Sequence, residues 1–147
     1  MAKKFLTYEE VCALPLLQQA IHQEEERHRA RMADIQAMAK TLAALESERA
    51  EIERNGYRLY GERISRDFAG SALRCSTLLS SDDVRFVTAL LRSGWKVIDR
   101  DEGQYPSPTF KKGRVKLRLS CTQRETLTKA EQLASSKAEA AAIPCQP

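Results

Sequence analysis

Between Met1 and Asn55 the chain contains no glycine, and Pro15 is its one proline there. That absence removes the usual means of turning the backbone, so the first 55 of 147 residues read as helix rather than as a compact mixed fold. Apolar runs are also short. No stretch approaches the ~20 apolar residues of a membrane span. The segment Met1-Ala2-Lys3-Lys4-Phe5-Leu6 lacks the apolar core and small-residue cleavage site of a signal peptide, so a cytoplasmic location is expected.

The four cysteines, Cys12, Cys75, Cys121 and Cys145, are scattered without a Cys-x-x-Cys pair, and His22 and His28 stand six apart on a presumed helix. Neither set has the spacing of a zinc site, so no metal and no cofactor is expected. The phosphate-binding patterns Gly-x-x-x-x-Gly-Lys and Gly-x-Gly-x-x-Gly are missing. Both histidines lie outside the later, basic part of the chain, which therefore has no base for serine-hydrolase chemistry. One acidic cluster, Asp99, Asp101 and Glu102 with Lys111 and Lys112 beyond it, invites comparison with metal-dependent nucleases. The following strand, residues 109–119, carries no carboxylate to complete such a site. The chain reads as non-enzymatic.

What is abundant is charge, and it is partitioned. Residues 1–55 hold eight Lys and Arg against ten Asp and Glu (net −2), residues 56–124 fourteen against seven (net +7), and residues 125–147 two against three (net −1), for +4 in total. We read three regions: a helical arm over 1–55, a basic α+β domain over 56–124 and an Ala-rich tail over 125–147.

In the arm, Thr7 and Glu10 form a capping-box pattern. Pro15 predicts a short helix over about residues 8–13 and a second helix with the proline in its first turn. Good helix formers then run unbroken to about Arg54, roughly 60 Å of helix at 1.5 Å per residue. That length predicts a coiled coil or a helical partner. Ile35, Met38, Leu42, Leu45 and Ile52 recur at alternating spacings of three and four, with Arg49 between. They are candidates for self-association into a homodimer, or alternatively for packing on the chain's own basic domain. Upstream, Glu24, His28 and Arg31 fall on the same seam and interrupt it. The pairs Glu24–His28 and Glu25–Arg29 are read as a solvated helix face. The opening Phe5-Leu6-Thr7-Tyr8-Glu9-Glu10-Val11 is similar to the start of helix-turn-helix modules of the excisionase type, and departs from them at Pro15.

Asn55-Gly56 ends the arm. In the domain, the segment 57–70 is expected to be partly helical, residues 72–78 to include a strand, and Ser80-Ser81-Asp82-Asp83 to open a helix that stops at Gly94. Arg85, Thr88 and Arg92 share one face of that helix, opposite an apolar stripe. A strand over 95–100, a polar loop and a second strand from about Thr109 predict an antiparallel hairpin. This helix-then-hairpin order resembles the second half of a winged helix.

In that second strand Val115, Leu117 and Leu119 alternate with Arg114, Lys116 and Arg118, so one face is buried and the other cationic. Same-face residues stand about 7 Å apart, near the phosphate spacing along a nucleic-acid strand. Lys111 and Lys112 extend the row. Such a face serves nucleic acid, an acidic protein surface, or merely protection of an edge strand. Residues 128–142 predict a thin Ala-rich helix, read as a loosely held terminus.

The leading expectation is a non-catalytic regulatory protein, dimeric through its arm, whose domain contacts nucleic acid through Arg114, Lys116, Arg118, Lys111, Lys112, Arg85 and Arg92. The alternatives are an inhibitor or adaptor of the small phage or mobile-element type that binds a protein subunit of a nucleic-acid-handling complex, and a structural coiled coil.

Overall fold

The computed structural model describes residues 5–67, 70–120 and 122–141, the side chains of 137–141 excepted. The chain divides into two compact units between Ala37 and Met38. The first holds α1 (Tyr8–Cys12) and α2 (Leu16–Ala37). The capping box forms: Thr7 N–H donates to Glu10 Oε2 at 2.7 Å, and Glu10 N–H to Thr7 Oγ1 at 3.3 Å. Pro15 stands just before α2, as its missing N–H requires, and the Gln19 side-chain amide donates to Leu14 O at 2.7 Å and Cys12 O at 3.2 Å, satisfying carbonyls that α1 leaves open. Neither helix buries a residue. The charge run pairs at i, i+3 rather than at the expected i, i+4, through Glu24–Arg27 and Glu26–Arg29.

The second unit is α+β. It contains α3 (Ala39–Arg54), β1 (Ile64–Arg66), β2 (Leu73–Cys75), α4 (Asp82–Arg92), β3 (Lys96–Asp99), β4 (Thr109–Lys112), β5 (Val115–Leu119) and α5 (Thr126–Ala141). The single helix expected from Pro15 to Arg54 is thus two helices, parted where Met38 adopts φ −97°, ψ 6°. No glycine or proline marks that point. What changes there is burial: Met38, Leu45 and Ile52, spaced by sevens, enter the core, whereas nothing in α2 does. Ile35 and Leu42 are half-buried.

Two helices stop in the same way. Behind α3, Gly56 N–H donates to Glu53 O and Tyr57 N–H to Ile52 O; behind α4, Gly94 N–H donates to Leu91 O and Trp95 N–H to Leu90 O. These are Schellman motifs, with Gly56 at φ 106° and Gly94 at φ 84°. Each delivers an aromatic side chain directly into the core. Tyr57 meets Phe86 of α4 at 4.4 Å between ring centroids, and Trp95 is fully buried. Asn55 Nδ2 donates to Ser93 Oγ at 3.0 Å, tying the two helix ends together.

The sheet has five strands in the order β1-β2-β5-β4-β3, antiparallel except for the parallel β2–β5 pair. The expected hairpin is therefore only part of a mixed sheet, and the strand expected over 109–119 is two strands. A two-residue turn, Gly113-Arg114, joins β4 to β5, with Gly113 at φ 58° as a type II′ turn demands. The described residues of 57–70 supply a 3-10 turn (Gly61–Arg63) and the edge strand β1 rather than an α-helix. Ile64, Leu73, Cys75, Phe110, Val115, Leu117 and Leu119 form one buried sheet face; α3 packs against β5 and α4, and α4 packs in turn against α5.

The helix α5 packs along α4, burying Leu127 and Ala130, so the tail belongs to the core of this unit. Arg92 Nη2 donates to Leu133 O at 2.9 Å, and Arg100 makes a two-pronged contact with Glu131 at 2.7 and 3.0 Å. Thr122 closes the loop before β4 by donating its N–H and hydroxyl to Pro106 O at 2.7 and 2.8 Å.

Candidate functional site

Strand alternation sends every second residue to the sheet face opposite the helices. Register then aligns those residues into rows. Lys96 of β3 pairs with Lys111 of β4, which pairs with Lys116 of β5. Adjacent strands are about 4.8 Å apart, so three lysines stand side by side across three strands. Arg114, exposed in the β4–β5 turn, lies one same-face step from Lys116. The next row runs Thr109–Arg118–Arg74–Ser65 across β4, β5, β2 and β1.

The two rows differ electrostatically. Arg118 sits 3.5 Å from the buried carboxylate of Asp67 and 3.9 Å from Asp101, and Arg74 is 3.8 Å from Asp67. These arginines are neutralised within the chain. By contrast, Lys96, Lys111, Arg114 and Lys116 have no hydrogen-bond or ion-pair partner among the described residues. The open half of the face is thus a patch of four unpaired cations. None of its outward strand positions is aromatic; Ile98, half exposed beside Lys96, is the one large apolar side chain there.

Of the residues that the sequence singled out, the fold brings Lys111, Arg114 and Lys116 together in this patch. Arg118 shares the face but is held by carboxylates. Lys112 points to the helical side, where Glu48 and Glu51 of α3 hold it at 2.5 and 3.0 Å. The hydrogen bond to Glu48 keeps its ammonium pKa above the ordinary lysine value. Lys112 therefore fastens the hairpin to α3. Arg92 is engaged with α5, and Thr88, expected on an exposed face, is buried with its hydroxyl donating to Val84 O at 2.6 Å. Arg85 lies on α4, 3.6 Å from Asp82 and with its guanidinium 5.8 Å from the Tyr57 ring centroid, apart from the patch. Met38, Leu45 and Ile52 pack inside their own unit, which is the second of the two uses the sequence allowed for that seam.

Lys96 was not singled out by the sequence. Its place follows from the β3–β4 register, and the available signal was its alternation with Val97 in a short strand. The acidic cluster is absorbed by its loop. Asp101, at φ 47°, accepts from Ser107 N–H at 2.8 Å, and Asp99 accepts from Asp101 N–H at 3.0 Å. Among the described residues no three His, Cys, Asp or Glu side chains gather as a metal site, and no helix is long and apolar enough to cross a membrane.

Edge protection accounts for Lys96 and Lys116 but not for Lys111. Strand β3 is one edge of the sheet, and β2 pairs with β5 only over Leu117–Leu119, which leaves that side of β5 open at Lys116; Lys111, paired on both sides, guards no edge. Comparison with protein-family models, with curated proteins and with solved structures returned no match for this chain.

Proposed function

We propose that this is a non-catalytic binding protein that grips the sugar–phosphate backbone of nucleic acid through the open half of its sheet. One observation carries the reading: four cations without a partner among the described residues, one of them (Lys111) on a strand paired along both sides, gather on the sheet face opposite its buried one. Lys96, Lys111 and Lys116, about 4.8 Å apart across the strands, with Arg114 two residues before Lys116, offer a row of positive charge to a repeatedly charged backbone. No outward strand position of this half is aromatic, so the proposed contact is with phosphates rather than by stacking on bases, and is tolerant of sequence. Binding to a mixed-sequence duplex, followed by fluorescence anisotropy at several salt concentrations, tests this. Four phosphate contacts predict a log–log slope of about −3 to −4. Absence of binding at low salt removes the proposal.

A second reading, an adaptor or inhibitor docking on a protein subunit, draws on the first unit. There Leu16, Leu17 and Ile21 are 82%, 72% and 50% exposed on helices that bury nothing of their own. Self-association through the arm is retained as part of the proposal only for this unit, because the downstream seam is spent on the chain's own core. A protein complex that survives nuclease treatment in pull-down, together with no affinity for duplex, favours the second reading over the first.

A further inference from the structure

Gly94, Lys96, Ile98, Lys111, Lys112 and Gly113 line a depression of about 260 Å³ at one corner of the sheet. Its walls follow from requirements already described. Gly94 ends α4 and Gly113 makes the β4–β5 turn, both at positive φ, so two sides of the depression carry no side chain. A Cβ at Gly94 would stand 3.9 Å from Lys112 Cε, which locates the Lys112 stem beside it. The Lys112 ammonium is taken by Glu48 and Glu51. Two ammonium groups are left for the depression, those of Lys96 and Lys111, directly opposite one another across the β3–β4 pair.

Like charges in directly opposed strand positions destabilise a sheet. Here the arrangement occurs twice in succession, Lys96 against Lys111 and Lys111 against Lys116, with no counter-charge among the described residues. The nearest outward carboxylate on β3, Asp99, lies at the other end of the strand opposite Thr109. The free protein therefore carries a repulsion that the fold does not need and does not relieve. An anion seated between the lysines would relieve it.

We propose that this corner is the anchor of the nucleic-acid contact: one phosphodiester group lodges between Lys96 and Lys111, the next lies toward Lys116, and exposed Ile98 gives the intervening sugar an apolar wall. This rests on the nucleic-acid reading above and adds the point of tightest hold. It also makes a distinctive demand, that removing a cation weakens binding while leaving the free protein at least as stable.

The full-length protein and its Lys96→Gln/Lys111→Gln variant are compared for binding to a mixed-sequence duplex, as DNA and as RNA, with Arg74→Gln as a control in the carboxylate-paired row. The anchor predicts an affinity loss of about tenfold or more at moderate salt and a salt slope shallower by about two units. It further predicts a thermal midpoint for the free double variant no lower than that of the parent, and an Arg74→Gln slope near the parent's. A double variant that keeps the parent's affinity and slope overturns the anchor while leaving the nucleic-acid reading intact. If the parent binds neither duplex, that reading falls, and titration with inorganic pyrophosphate decides the corner by itself. Saturable amide NMR shifts at Gly94 and Gly113 that vanish in the double variant sustain an anion site, and their absence ends it.

Discussion

At the scale of single residues, burial decides which groups are chemically available. Cys12 is exposed, whereas burial pushes the Cys75 thiol up to about 12 and Tyr57 likewise to about 12. Alkylation of the native protein near pH 8 should modify Cys12 and spare Cys75, with Cys75 reacting only after denaturant; peptide mapping by mass spectrometry reads this out. Early modification of Cys75 would mean that the β2 side of the core opens readily. Both groups hold their protons more tightly when folded than when unfolded. Their contribution to stability is complete below the ordinary values of 9.0 for the thiol and 10.0 for the phenol, and is lost as pH climbs through about 12. Urea midpoints should consequently fall between pH 9 and 12, and a flat profile over that range would contradict the burial described. The same distinction separates the cations. Composition shows that residues 56–124 are basic, but it does not show that Asp67 and Asp101 claim Arg118 while Glu48 and Glu51 claim Lys112. Those partners come from other strands, loops and helices, so neighbouring sequence carries no sign of them.

At the scale of elements, legibility tracked punctuation and phase. The stops at Asn55-Gly56 and Ser93-Gly94 were readable because a left-handed residue is needed there and glycine supplies it. Gly94→Ala should cost about 1–2 kcal/mol in urea unfolding, because alanine is strained at φ 84°. Gly61→Ala, in open space without a positive φ, should stay within about 0.5 kcal/mol of the parent. Equal effects at the two sites would show that the Schellman geometry is not what ends α4. The β4–β5 turn has its signal in the sequence too, as a slip of phase rather than a run of turn residues. Phe110 faces inward at an even position and Val115, Leu117 and Leu119 at odd ones, so the alternation slips by one across Gly113-Arg114. A two-residue glycine turn placed between strands of opposite phase is a hairpin. The strands β1 and β2, three residues each, are too short to show any period. The docking of α5 was hidden for another reason. Its fully buried contact is Ala130, whose small side chain adds little to an apolar stripe yet lets two helices approach closely.

At the scale of the whole molecule, the boundary of stability is not the boundary of charge. The acidic region ends near Asn55, but the compact unit begins at Met38, because Met38 at the start of α3 and Leu45 and Ile52 within it enter the core, and α3 clamps the hairpin through Lys112. Helices α1 and α2 bury nothing, so removing residues 1–37 should leave the cooperative urea transition of the remainder near its original midpoint, by circular dichroism. Loss of that transition would show that the first unit is needed for the second to fold. The same truncated chain should keep its affinity for duplex, since every cation of the patch lies beyond Met38.

The central claim is that the four unpaired cations of the sheet face meet phosphates, and the salt dependence of binding measures it most directly. Anisotropy titrations of a labelled duplex across about 50–200 mM salt should give a slope near −3 to −4 for the parent. Replacing Lys96, Lys111 and Lys116 together by Gln should bring the slope to about −1, with Arg114 as the remaining contact. A parent that does not bind at 50 mM salt, or a triple variant whose slope equals the parent's, would contradict it.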